Sequence, residues 1–186
     1  HDYYMNNSEG ESFETIVASG ENSSKPHAVP TDRTIEKQDI ITIDMGCVVN
    51  GYCSDMTRTI FIGEPTEEQK SIYNLVLKNQ KIALNQIRDG ANIKTIANGV
   101  ESDFNINGQT LIHSLGHGVG LEIHEAPIVG IKNDTCLKEN MVITDEPGIY
   151  IAGNFGVRIE DTVLVTKKGA IALTESDKEC IIIEAL

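Results

Sequence analysis

Four acidic residues interrupt strand-like runs: Asp44 in "IITIDMG", Asp55 in "YCSDMTRT", Glu146 in "MVITDEPGIY" and Glu160 in "GVRIEDTVLV". A carboxylate among β-branched residues must be ion-paired, solvated at a strand end or bound to a metal, because burying it bare is prohibitively unfavourable. Each of the four can be read structurally, but the repetition points to a shared cation. The stretch "SLGHGVGLEIHEAP" adds His117 and His124 among three glycines, which is either a turn shaped by glycine or part of a site. With His117 the set is one imidazole and four carboxylates, a hard donor set suited to Mn, Co, Fe or Zn rather than to a thiolate-seeking metal. Two divalent cations would match four carboxylates in charge. Two ions roughly 3.5–4 Å apart can polarise a carbonyl, hold a bridging hydroxide at neutral pH and stabilise a tetrahedral oxyanion. The chemistry implied is metal-assisted hydrolysis.

The elements that must position these groups follow from periodicity and punctuation. "TIVASG" reads as a short strand, and "ENSSKPHAVPTDRTIEKQD", broken by Pro26 and Pro30, as a surface loop containing His27. "IITIDMGCVVN" and "YCSDMTRTIFI", separated at Gly51, read as an antiparallel hairpin with Asp44 and Asp55 on its two arms. In "TEEQKSIYNLVLKNQKIALNQIRDG", Ile72, Leu75, Val76, Ile82, Ala83 and Ile87 share a helical face. Thr66 and Gln69 form a capping box there, and Gly90 is the stop. A second helix is expected over Ile93 to Phe104. "ENMVITDEPGIYI", "FGVRIEDTVLVT" and "GAIAL" are three further strand-like runs, so strands, helices and strands again predict an α+β domain. Asp145 and Asp161 stand beside Glu146 and Glu160, and strand alternation lets only one member of each pair face a common site.

At 186 residues the chain fits one domain with a proper core. No apolar run approaches the roughly 20 residues of a membrane span. The balance of 15 basic and 28 acidic residues, a formal charge of -13, argues against nucleic acid as a partner. Cys47, Cys53, Cys136 and Cys180 show no CxxC pair, so they read as small core hydrophobes in a reducing, cytoplasmic setting. Asn6, Asn22 and Asn133 match the glycosylation pattern but read as chance occurrences.

Taken in order, "IDMG", "YCSDMTRT" with Asp55 eleven positions after Asp44, "GHGVGLEIHE", "TDEPGIY" and "GVRIEDTVLVT" resemble the pita-bread metallopeptidases of the creatinase/aminopeptidase fold. The likeness runs from about Phe13 to the C-terminus and is to the Xaa-Pro branch, which holds aminopeptidase P and prolidase. The resemblance implies a curved, mostly antiparallel sheet covered by helices. It implies Asp44, Asp55, His117, Glu146 and Glu160 as ligands of two metal ions, manganese first and cobalt, zinc or iron as alternatives, with Asp55 and Glu160 bridging. It further implies that His27, His124 and Arg158 meet the substrate, that Glu146 shuttles the proton, and that the glycines of "GHGVGLEIHE" leave room beside metals and peptide. His27 and His124 join Glu146 as catalytic candidates. Alternation supports a shared face for Arg158 and Glu160. The substrate implied is a proline-containing peptide or dipeptide, and the assembly a homodimer. In the family about two helices precede the segment matching "SFETIVASG", and "HDYYMNN" reads as the end of the second. Residues 1–186 are therefore expected to form a single catalytic domain lacking its N-terminal side. A methionine aminopeptidase shares the five ligands and the "GHG" segment, but Arg158 in "GVRIED" favours the proline-specific branch. A non-catalytic module that retains the metal site is a further alternative.

Overall fold

The computed structural model of the chain describes residues 7–184, so the helix end expected over the first residues lies largely outside the described part. Among the described residues, fourteen strands and two complete α-helices follow in order. Strands β1 (Gly10–Glu11), β2 (Ile16–Ser19), β3 (Ile40–Met45), β4 (Cys47–Val49), β5 (Tyr52–Cys53) and β6 (Met56–Ile62) precede helices α1 (Glu67–Gln86) and α2 (Ile93–Ile106). Then come β7 (Gly116–Gly118), β8 (Glu125–Val129), β9 (Val142–Asp145), β10 (Gly148–Ile151), β11 (Phe155–Arg158), β12 (Asp161–Val165), β13 (Ala170–Ala172) and β14 (Ile181–Ile183).

The expected hairpin is present. β3 and β6 pair antiparallel with Asp44 opposite Thr57, while β4 and β5 extend it to a tip where Asn50 and Gly51 both take positive φ (52° and 76°). That pair of left-handed residues is what a two-residue turn needs to match strand twist. The remaining ladders place β2 beside β3, β14 parallel to β6, and β7 to β9, β12 and β13 in a second sheet ordered β13-β12-β9-β7-β8. Every ladder apart from β14–β6 is antiparallel among the described strands. Two of the long strand-like runs are each split. β9 and β10 are separated by Glu146-Pro147, and β11 and β12 by Ile159-Glu160, so the acids stand at breaks rather than inside continuous strands.

Helix α1 starts at the expected capping box: Thr66 Oγ1 accepts from the Gln69 N–H, and the Gln69 carboxamide accepts from the Thr66 N–H. It ends at Gln86, and Gly90 (φ 79°) turns the chain just beyond. Its buried face is shifted from the expected one. Ile82 is 37% exposed, while Tyr73, Asn79 and Gln80 are buried in its place. Polar residues can occupy that face because they are bonded: Asn79 Nδ2 donates to Asp103 on α2 at 2.7 Å, and Gln80 reaches two carboxylates at the sheet. Ile72, Val76 and Ala83 of α1 and Ile96, Val100 and Phe104 of α2 close over Ile143, Val157, Val163 and Val165 of the sheets. Each such large aliphatic contributes roughly 1.5–3 kcal/mol by leaving water.

Two other expectations change. The segment expected as a surface loop opens with a 3-10 helix, Gly20–Ser24, whose buried Ser23 Oγ accepts from the Gly156 N–H, so it is anchored to β11. The cysteines are not core residues: Cys136 and Cys180 are exposed, Cys47 and Cys53 half-buried, and all four are free. Asn133 uses its amide to accept from Thr135 and donate to Ile128, and Asn22 is buried; Asn6 lies outside the described residues. No helix among the described residues is long and apolar enough to cross a membrane.

Candidate metal centre

A cavity of about 800 Å³ opens between the two sheets, and Asp44, Asp55, His117, Glu146 and Glu160 all line it, as do His27, His113, His124, Tyr150 and Arg158. Within it Asp55, His117 and Glu160 each offer a ligand atom, and these atoms lie within 4.8 Å of one another. His117 Nε2 is also 3.3 Å from Glu146 Oε1. Asp44 projects from near the end of β3, His117 from β7, and the other three from strand breaks. A break frees a side chain from strict alternation, so residues from different sheets can be turned towards one point.

Threonines orient the acids. Thr57 Oγ1 donates to Glu160 Oε2 at 2.6 Å, and Thr144 Oγ1 donates to Glu146 Oε1 at 3.0 Å while accepting from the His117 N–H. His117 Nδ1–H bonds the Gly118 carbonyl at 2.9 Å, which leaves the Nε2 lone pair facing Asp55 and Glu146. Burial, then His124, holds the imidazole pKa below the ordinary histidine value. A neutral nitrogen lone pair set against carboxylate oxygens is repulsive unless a proton or a cation lies between them.

The acids tell the same story. Burial, reinforced by Asp44 and Glu146, pushes Asp55 up to about 8, and burial pushes Glu146 up to about 7. Glu160 is raised well above its ordinary value by burial and by the other three carboxylates. Asp44 Oδ1 is buried without a hydrogen-bond partner. An imidazole lone pair, an orphaned carboxylate oxygen and three acids that resist ionisation fit a hard divalent cation.

Arg158, at the end of β11, lines the cavity but is largely committed: Nη2 donates to Asp44 Oδ2 at 2.6 Å, Nη1 to Tyr150 Oη at 2.8 Å and Pro26 O, and Nε to Thr57 Oγ1. Tyr150 and His113 were not singled out by the sequence. The polarity of their bonds is set by Arg158 donating to Tyr150 Oη and by the Ser114 carbonyl accepting from His113 Nδ1–H. The tyrosine hydroxyl is thereby left to donate to His113 Nε2 at 3.0 Å. The Glu-Pro-Gly-Ile-Tyr spacing, with Tyr150 four residues after Glu146, was the available signal. His124, exposed at the cavity wall, lies edge-on to His117 with centroids 4.4 Å apart; His27 sits exposed in a turn at the rim. Two glycines of the histidine segment are fixed by their protein neighbours. A Cβ on Gly116 would stand 2.0 Å from Thr144 O, and one on Gly118 would stand 2.4 Å from Ala126 O. They permit close approach of neighbouring backbones.

Comparisons with known proteins bear on the same residues. The family model for metallopeptidase family M24 matches residues 1–167. An Xaa-Pro dipeptidase of Pyrococcus furiosus is 49% identical over 180 residues, covering 95% of this chain and 51% of that protein. Among solved structures, an X-Pro aminopeptidase of Thermotoga maritima superposes with a TM-score of 0.91 at 40% identity, covering 95% of this chain and 51% of its own. A prolidase of Pyrococcus furiosus gives 0.90 at 48% identity, covering 93% and 52%. The chain thus spans about half the length of the relatives it matches. The expected α+β pita-bread architecture is present, and the chain belongs to metallopeptidase family M24.

Proposed function

We propose that residues 1–186 form a catalytic domain that uses two divalent metal ions to hydrolyse the bond preceding proline, at the N-terminus of a peptide or within a dipeptide. The observation that carries this reading is the convergence of the Asp55, His117 and Glu160 ligand atoms within 4.8 Å in a cavity large enough for a short peptide. Asp44, Asp55, His117, Glu146 and Glu160 would hold the ions in this reading, manganese first and cobalt, zinc or iron as alternatives. When bound, the pair supplies Lewis-acid polarisation of the carbonyl and activation of water as the nucleophile.

The protein's own groups do the rest. The bond before proline has no N–H, so binding must rely on carbonyls, the chain terminus and the pyrrolidine ring. Glu146, oriented by Thr144, accepts the proton of the attacking water and returns it to the leaving nitrogen. His124, beside His117 on the open side, donates to the oxygen on which charge develops, and His27 borders the bound peptide. Arg158 orients Asp44 and keeps an Nη2 hydrogen for a substrate carbonyl or carboxylate. The substrate amino group lies near Asp44, restricting cleavage to the first bond. A homodimer in a cytoplasmic setting completes the proposal.

Metal analysis coupled to hydrolysis of Gly-Pro, Xaa-Pro-Xaa and Met-Ala substrates tests it. The expected result is bound metal with turnover of proline substrates, both lost in Asp55→Ala. Preferential cleavage of Met-Ala would indicate a methionine aminopeptidase, and full metal content with no turnover a non-catalytic module.

A further inference from the structure

Behind the candidate centre, on the side of the sheet away from the cavity, β6 carries a second arginine whose side chain is 5% exposed. All five of the Arg58 N–H groups are engaged. Nε donates to Asp177 O at 3.1 Å. Nη1 donates to Thr57 O at 2.9 Å and to Glu160 O. Nη2 donates to Asp161 Oδ1 and Ser176 O, both at 2.8 Å. Glu160 occupies the break between β11 and β12, where no continuous ladder fixes its backbone. Its N–H donates to Thr57 O at 3.1 Å, its carbonyl accepts from Arg58, and its carboxylate accepts from Thr57. Both backbone groups and one carboxylate oxygen of Glu160 are therefore set by two consecutive residues of β6.

We propose that Arg58 is a positioning residue that holds the strand break presenting Glu160 and couples that break to the segment 174–178. The inference rests on the reading of Glu160 as a metal ligand. Guanidinium is the group the arrangement requires. Its planar fork meets acceptors from Thr57, Glu160, Asp161 and the C-terminal segment at once, whereas an ammonium offers three donors from one point. Lys178 is the internal comparison: it also pairs with Asp161 and with Arg58 encloses that carboxylate, but none of its described bonds reaches Glu160. Groups that orient a ligand from behind typically change metal affinity or activity by about 10- to 100-fold when removed.

Titration calorimetry with Mn²⁺ on wild type, Arg58→Lys and Lys178→Met, with melting temperatures measured alongside, tests the assignment. Arg58→Lys is expected to weaken Mn²⁺ binding by about 10- to 100-fold. Lys178→Met is expected to lower the melting temperature yet bind Mn²⁺ within about threefold of wild type, a split that a merely structural arginine would not produce. Unchanged binding by Arg58→Lys, or equal weakening in both variants, would overturn the proposal. Absence of Mn²⁺ binding by wild type would instead overturn the metal-centre reading and this inference with it. Hydrogen–deuterium exchange of wild type supplies a test independent of any variant's folding. Because coupling is reciprocal, Mn²⁺ must slow exchange of amides in 174–179 as well as around Glu160. Protection confined to the cavity side would overturn the coupling.

Discussion

Two pairs of adjacent acids lie back to back across the sheet: Glu146 and Glu160 face the cavity, while Asp145 and Asp161, cross-strand partners on β9 and β12, face the helices. Both sides are buried, yet their surroundings differ. Asp161 receives Lys178, Thr174, Arg58 and Gln80, and the bonds from Lys178, Thr174 and Arg58 hold its pKa below the ordinary value despite burial. Among the described residues Asp145 has only a side-chain bond from Gln80, and burial followed by Asp161 raises its pKa. On the cavity side, Asp55, Glu146 and Glu160 have threonines and backbone but no lysine or arginine in a described ion pair. Arg158 is paired there with Asp44. The fold therefore supplies its own cations to the rear pair and leaves the front cluster short of positive charge. The contrast supports the proposal that the front takes an external cation, since buried like charges are tolerated only when something neutralises them.

The contrast yields predictions of graded size. Asp161→Asn strands Arg58 and Lys178 on the rear side and is expected to destabilise by about 3–5 kcal/mol, measured by urea denaturation. At the front the sign reverses. Asp55→Asn removes a repelled carboxylate and is expected to stabilise metal-free protein by roughly 1–3 kcal/mol at pH 8 while abolishing Mn²⁺ binding; destabilisation would remove the distinction between the two sides.

The pH dependence sharpens the same point. Asp55 at about 8 and Glu146 at about 7 lie above their unfolded values near 4. Folded protein thus binds more protons than unfolded protein in between, and this contribution is full below pH 4 and lost as pH rises through 7 to 8. Burial lowers His113 to about 4 and also lowers His117, so below about pH 6.5 they tilt stability the other way. The clean window is pH 7 to 8. There, metal-free protein is expected to lose up to about 1.4 kcal/mol per unit for each titrating carboxylate, and Mn²⁺ is expected to suppress that slope while releasing protons. Thermal melts across the window with and without metal read it. The smallest effect calibrates the rest: Lys81→Ala breaks an exposed pair with Glu179 and is expected to change stability by less than about 0.5 kcal/mol.

Much of the element order was legible because it is local. The Thr66–Gln69 box, the Asn50-Gly51 turn and the second helix each depend on residues within a few positions of one another. The five candidate ligands were legible because a charge in an apolar run is conspicuous whatever surrounds it, and the family likeness added their common purpose. Ile82 and the cysteines were misjudged because hydrophobicity states a preference for burial, while occupancy depends on which face of α1 meets the sheet. Alternation separated Asp145 from Glu146 and Asp161 from Glu160 without saying which would meet the cations of the rear side.

By itself, the order of residues determined where the Asp44–Asp55 hairpin and the two helices lie, and which acids could not be ordinary core. Only the tertiary structure decided that Glu160 is held by residues about a hundred positions earlier, that Tyr150 joins Arg158 to His113, and that the glycines admit neighbouring backbone. The reason is range. Turn, cap and alternation signals are energies of neighbouring residues, whereas the charge balance at a buried carboxylate is a sum over whatever distant segments the fold brings within a few ångströms.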